Sequence, residues 1–372
     1  MRLPFRSGKQ SSMKDWMPIL ILNDTKEYNR ALPIIVFQSM RFFCGIDGGA
    51  TKTSCLIADE NGQITGLGYS KSSSISIVDV KTMLNNVKEA LDMAVKAAGI
   101  SIEQIDTIFI ATAGGGSERR RRLISQSLRR MGISNKLYVD SDAIAALMAT
   151  TLGKPGVVVI SGTGSIVLGL DEDGVYHRVG GWGYLIDDEG GAFYIGREAL
   201  RYVFMAYDGR GEATDLVEHI LRHFNVESLM DVVDLISLRR IGVVEIASLA
   251  PLVLKLWKNG DRIASNIIRK SCLELIHATS TVISRMKMER PLVGVRGGVF
   301  EGDADFTRLF FRVLKRRMPC IRRSKSRFKS VFGALLLAYR SAGRPLNRRL
   351  IRNLFESASR GDYVKGVVFL HG

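Results

Sequence analysis

The chain has 372 residues, 46% of them hydrophobic, with 37 glycines and a formal net charge of +16. That length suffices for two lobes with separate cores, and the composition excludes widespread disorder. No apolar run reaches the roughly 18 residues of a membrane span, and the four cysteines, Cys44, Cys55, Cys272 and Cys320, form no C-x-x-C pair. Scattered thiols of this kind fit a reducing compartment, so a cytoplasmic protein without a membrane partner is expected. The positive charge gathers at Arg119 to Arg122, Arg129-Arg130 and Lys315 to Lys329, and the first two clusters lie on one helical pattern with no interleaved aromatic residues. It reads as a solvated basic face, and no nucleic-acid partner is expected.

Residues 1–39 carry early basic residues and two short apolar patches without a helical period. They read as a loosely ordered arm, or as a start assigned too early, with Met40 the true one. The organised chain opens with a strand at Phe42 to Ile46, the glycine-rich turn Asp47-Gly48-Gly49-Ala50-Thr51-Lys52-Thr53, a second strand at Ser54 to Ala58 and a third at Ile64 to Tyr69. A Walker A loop is excluded, because its spacing is absent and a strand rather than a helix follows. Backbone N–H groups and hydroxyls of such a turn can still cradle phosphate, leaving Asp47 to hold a hydrated cation.

Asp79 to Ala98 reads as an amphipathic helix, with Val80, Leu84, Val87, Leu91, Val95 and Ala98 on one face and Gly99 as its stop. A strand at Thr107 to Ala111 then runs into Gly114-Gly115-Gly116 and an arginine-rich helix. A short strand, Leu137 to Val139, precedes Asp140-Ser141-Asp142 and an alanine-rich helix from Ala143 to Thr150. Asp142 therefore stands at the carboxyl end of a strand. It is either a helix cap or a general base in the crevice where open α/β sheets bind ligands.

The densest stretch is Val157 to Gly196. A continuous apolar run, as in a strand buried on both faces, stops at Ser161-Gly162-Thr163-Gly164-Ser165. Two strands follow, Ile166 to Leu170 and Val175 to Val179, joined by Asp171-Glu172-Asp173-Gly174. Gly180-Gly181-Trp182-Gly183 and the acids Asp187 and Asp188 come next, before a helix expected near Glu189. The rest is mostly helical: Ala199 to Tyr207, Glu212 to Phe224, Ser228 to Leu238, Val243 to Leu256, Ala264 to Met286, Asp305 to Arg317 and Gly333 to Ser341. One strand, Leu292 to Val295, interrupts it and ends at Arg296-Gly297-Gly298. The basic stretch 343–372 yields no motif. His177, His219, His223 and His277 have no metal-ligand spacing; His219 and His223, at i and i+4, lack the glutamate of a zinc protease.

Two strand–glycine turn–strand units, one in each half, and a late strand ending in Gly297-Gly298 resemble the actin/sugar-kinase/Hsp70 superfamily. Through Gly180-Gly181-Trp182-Gly183 and Asp188-Glu189-Gly190 the chain resembles, more closely, the BadF/BadG-type ATPase and N-acetylglucosamine kinase family, including its archaeal broad-specificity hexokinases. The resemblance spans about Met40 to Ala342. It implies a two-lobed, actin-like (ribonuclease H-like) α/β fold with ATP in the cleft between lobes. The lobes would be residues 40–152 with a returning helix at 333–342, and residues 153–332, flanked by the extension 1–39 and the tail 343–372.

It further implies an ATP-dependent sugar kinase that phosphorylates a hexose or an amino or N-acetylated hexose, as a homodimer. Asp142 would be the general base. Asp47 would hold Mg²⁺ through water. Gly48, Gly49, Thr51, Lys52, Thr53, Gly162, Thr163, Gly164 and Ser165 would meet the ATP phosphates, and Gly297 and Gly298 the adenosine. Ser74, Gly114, Thr163, Gly181, Trp182 and Asp188 would face the sugar, although Trp182 can instead pack beneath the site. Two departures bear on sugar choice, Ser74 and Ile166 standing where the family carries Asn; Asp187, where it usually carries Gly, is a milder one. The chief alternative within the resemblance is an ATPase that activates a 2-hydroxyacyl-CoA dehydratase through an iron–sulfur cluster, which needs thiolates at a dimer face. A third is an actin-like or nucleic-acid-binding protein without activity.

Overall fold

The computed structural model describes residues 40–75, 78–133, 136–360, 366 and 368–370. The expectations for residues 1–39 lie outside the described residues. Two five-stranded sheets organise the chain, and they repeat one plan. In the first, β1 (Phe42–Gly48), β2 (Lys52–Asp59) and β3 (Ile64–Lys71) form an antiparallel meander. After α1 (Val80–Ala98), β4 (Ile105–Thr112) joins β1 in parallel. After α2 (Glu118–Arg130), β5 (Lys136–Ser141) joins β4, giving the order β3-β2-β1-β4-β5. The helix α3 (Asp142–Thr151) then leads into the second sheet. There β6 (Gly156–Ser161), β7 (Ser165–Leu170) and β8 (Tyr176–Gly180) form the same meander, and β9 (Leu292–Arg296) with the two-residue β10 (Arg322–Arg323) continues it in parallel. The order is β8-β7-β6-β9-β10.

Between β8 and β9 lies the helical insertion: α4 (Ala192–Tyr207), α5 (Leu216–Phe224), α6 (Leu229–Ser237), α7 (Val243–Ala247), α8 (Ala250–Lys258) and α9 (Arg262–Met286). After β9 come α10 (Gly298–Gly302) and α11 (Ala304–Arg317), and after β10 come α12 (Ser330–Ser341) and α13 (Arg348–Ser359). Three of these differ from the sequence reading. The helix placed near Glu189 begins at Ala192. The single helix of Val243 to Leu256 is two, because Pro251 lacks an N–H and belongs in a first helical turn. The stretch 343–372 contains α13, which buries Leu350, Leu354 and Ala358.

The core has layers. Phe42, Cys44 and Ile46 of β1 pack outward against α1 and α2, with Val87, Leu91, Ile124 and Leu128. On the outer face of the second sheet, Val157, Val159 and Val167 meet α9 through Ile276 and Val282. Between the sheets lies a shared layer. There Phe43, Leu56 and Phe109 of the first sheet and Val158, Leu168 and Leu170 of the second close on α3 and α12. That is why α12 is apolar all round, with every residue from Val331 to Tyr339 buried. Helix α12 lies so close to β1 that a Cβ on Gly45 would come within 2.5 Å of Leu335 Cα. Only glycine fits there.

Candidate active site

The sequence-chosen residues gather where the strand ends of both sheets face each other, around the start of α3. Asp47 is the next-to-last residue of β1, between Ala111 of β4 and Ser54 of β2. Its half-buried carboxyl is pushed up to about 7, chiefly by burial, then by the charge of Asp142, against the opposing pull of Lys52. The Asp47–Asp142 coupling puts the two acids into one site. Asp142 is raised above the usual carboxylate range by burial and accepts from Ala143 N at 2.9 Å. It is the first residue of α3, not its cap; Ser141 holds the cap position with extended backbone (φ −71°, ψ 151°). The carboxylate therefore stands in the first turn, where the exposed N–H groups and helix dipole favour negative charge.

The turn after β1 is held from behind by residues 72–74. Ser72 Oγ donates to Gly49 O at 3.1 Å, Thr53 Oγ1 to Ser73 Oγ at 2.8 Å, and Asn86 Nδ2 to Ser72 O at 2.6 Å. Ser74, a sequence candidate for the sugar, belongs to this support and is 2% exposed. Thr51 and Lys52 are exposed at the tip. Two charged residues close by were not singled out from sequence. The Lys329 ammonium is lowered by burial and by the charge of Lys52, and offset by Glu301. Glu301 accepts from Gly297 N at 3.0 Å. A lysine before an apolar helix and a glutamate four residues past a glycine carry no sequence signal, since chain folding alone brings them here.

The second turn mirrors the first. Gly162 N donates to Gly164 O at 2.9 Å, while Ala192 N and Phe193 N donate to Gly162 O and Thr163 O at 2.8 and 3.0 Å, seating the start of α4 on the turn. A Cβ on Gly164 would stand 2.7 Å from Asp188 Cγ, and one on Gly297 2.9 Å from Gly162 N. The second turn thus touches both Asp188 and the glycine pair after β9. Asp188 sits at φ +72°, sparsely populated for a residue with a Cβ but tolerated by Asp, and accepts from Gly183 N at 3.4 Å. Its carboxyl is raised, first by burial.

Trp182 is 63% exposed, which corrects the alternative that it packs beneath the site. The Arg178 guanidinium lies 4.2 Å from the centre of its ring. Gly114, with Gly115 and Gly116, forms the turn after β4; a Cβ on Gly116 would stand 4.0 Å from Arg178 Nη1 across the gap between the sheets. His177 pairs with Asp171 at 2.6 Å in the β7–β8 hairpin, away from the acids. Cys44, Cys55 and Cys272 are buried and Cys320 is exposed. Among the described residues no helix is long and apolar enough to cross a membrane, and no cluster of three His, Cys, Asp or Glu side chains could hold a metal ion. A cavity of about 810 Å³, lined by Thr150, Leu292, Arg327 and Phe369, opens at the other end of α3 and is separate from this site.

The sequence profile of the BadF/BadG/BcrA/BcrD ATPase family matches residues 44–338. The chain belongs to that family. It is similar to the N-acetylmuramic acid/N-acetylglucosamine kinase of Clostridium acetobutylicum, 29% identical over 301 residues that cover 80% of this chain and 98% of the relative. It is likewise 29% identical over 318 residues to the N-acetyl-D-glucosamine kinase of Dictyostelium discoideum, covering 82% of this chain and 99% of that one. Among solved structures, one from Chromobacterium violaceum described as a candidate N-acetylglucosamine kinase superposes with TM-score 0.65 at 24% identity, over 81% of this chain and 99% of the other. The fold of this BadF-family protein is accordingly the two-lobed actin-like ATPase fold, and the repeated 3-2-1-4-5 sheet is its signature.

Proposed function

We propose that this BadF-family protein is a sugar kinase that transfers the γ-phosphate of ATP to a hydroxyl of an N-acetylated hexosamine or related hexose. The observation that carries the reading is Asp142: a half-buried carboxylate with a raised pKa, at a helix start, electrostatically coupled to Asp47 beside the first glycine turn. The kinase names of the relatives that match nearly end to end support it. Asp142 takes the proton from the attacking sugar hydroxyl as the oxygen bonds to the γ-phosphorus and the bond to the ADP oxygen breaks. A raised pKa brings its basicity closer to that of the task at neutral pH.

The turns Gly48 to Thr53 and Gly162 to Ser165 would cradle the phosphates, with Lys52 neutralising charge, and Gly297-Gly298 would border the adenosine. Asp47 fits a hydrated Mg²⁺, since two coupled acids with Lys52 as the counter-charge favour a divalent cation. When bound it would neutralise charge on the phosphates. Gly114, Thr163, Gly181, Trp182 and Asp188 would face the sugar, whereas Ser74, 2% exposed behind the first turn, would not. We further take the lobes as residues 40–152 with 333–342, and 153–332, of a cytoplasmic homodimer that binds no nucleic acid.

The deciding experiment is coupled ADP release with Mg-ATP across a panel of glucose, glucosamine, N-acetylglucosamine and N-acetylmuramic acid. Release that depends on sugar, strongest with an N-acetylated one, is the expected result. Release indifferent to every sugar would overturn the kinase reading in favour of a dehydratase-activating ATPase.

A further inference from the structure

Arg178 is a residue that no motif singled out, yet it is the most heavily engaged side chain beside the glycine–tryptophan turn. It lies on β8, opposite Leu168 of β7, and so on the sheet face that looks toward the other lobe. Its Nε donates to Gly180 O at 2.9 Å and its Nη2 to Gly181 O. Both glycines have positive φ, 79° and 76°, a backbone shape that glycine adopts freely, at the point where Gly180, paired with Ile166, ends the strand ladder. The guanidinium also lies 4.2 Å from the Trp182 ring centre, and Arg285 Nη1 holds the Arg178 carbonyl at 3.2 Å. Asp187 reaches back to Trp182 N at 3.3 Å, and the charges of Asp187 and Asp188 both act on Arg178. The third nitrogen, Nη1, has no hydrogen-bond partner among the described residues and lies 4.0 Å from where a Cβ on Gly116 of the other lobe would stand.

We infer that Arg178 is a positioning residue for the acceptor sugar. One planar fork fixes the two glycine carbonyls and the Trp182 ring, and its spare N–H is aimed at the Gly114–Gly116 turn that completes the sugar side when the lobes close. This rests on the sugar-facing role proposed above for Gly181, Trp182 and Asp188. Lysine cannot replace it: a compact ammonium neither spans two carbonyls nor stacks flat on an indole.

Two measurements on the full-length chain separate this inference from the kinase reading. In a Trp16→Phe, Trp257→Phe background, Trp182 is the sole tryptophan. Arg178→Met in that background should raise acrylamide quenching of Trp182 without any substrate present. In steady-state assays, Arg178→Lys and Arg178→Met should raise the KM for sugar about 10–100-fold, as a misplaced binding loop does. The KM for ATP should stay within about twofold, with guanidinium ion partly restoring Arg178→Ala. Unchanged quenching, or a loss confined to kcat or to the KM for ATP, would overturn the inference. A wild-type chain without sugar-dependent turnover would sink the kinase reading and the sugar half of this one, while quenching would still decide whether Arg178 holds the turn.

Discussion

Asp47 and Asp142 illustrate how two identical side chains acquire different duties from their surroundings. Burial weighs against ionising either acid, and Asp142 adds like charge to Asp47, which rises from 3.8 to about 7. Between those values the folded state holds the proton that the unfolded chain has released, so stability falls as pH rises through that window. The penalty is complete above about 7 and absent below about 3.8. Three pKa units correspond to at most about 4 kcal/mol, and to less here because Asp47 keeps some contact with water. Asp47→Asn should therefore raise the metal-free melting temperature at slightly alkaline pH and leave it unchanged near the lower bound. A melting difference that does not vary with pH would refute the coupling. Asp142→Asn should leave nucleotide binding within a few-fold while cutting phosphoryl transfer by about 10²–10⁴; a variant as fast as wild type would remove Asp142 from the base role.

Among elements, the strands and glycine turns were the most legible part of the sequence, because each carries its own local physics. Apolar runs such as Val157 to Ile160 read as buried strands. Asp59 and Asp171 announce tight turns by bonding the backbone two and four residues on, at 2.8–3.0 Å. Helix α1 shows its stop, Gly99 at φ 66°, while Asp79, read as its first residue, is its cap and bonds Thr82 N at 3.0 Å. What depended on distant partners was not legible. Helix α13 shows only Leu350, Leu354 and Ala358 on its buried face amid a basic stretch, too thin a stripe to read. Lys329, Glu301 and Arg178 reach the site by chain folding, with no motif to mark them. One test belongs at this scale. Gly164→Ala would drive a methyl into the Asp188 carboxylate, so it should abolish activity while costing about 1–3 kcal/mol of stability. Retained activity would mean that the second turn has room to yield.

For the whole molecule, the arrangement of layers matters more than any single contact. Helices α3 and α12 form a shared floor between the two sheets, and Tyr339 of α12 donates its buried hydroxyl to Asp59 O at the end of β2. Helix α13 then covers β3, with Ile64 N donating to Ser357 Oγ at 2.9 Å and Asn353 Nδ2 to Asn61 O at 2.7 Å. A chain ending at Gly343 should keep its secondary structure but melt several degrees lower, since three buried apolar side chains are worth about 1.5–3 kcal/mol each when large. An unchanged melting temperature would show that α13 only rests on the surface. The shared floor also has a consequence for biosynthesis. Helix α12, which completes the layer between the sheets, leaves the ribosome after every strand of both. Each lobe can build its outer core as it emerges, β1 with α1 and α2 and then β6 and β7 with α9, but the shared layer, in which Phe43, Val158 and Leu335 belong to one cluster, must wait for α12. A nascent chain stalled before residue 330 would therefore be a chaperone client through the inner faces of both sheets.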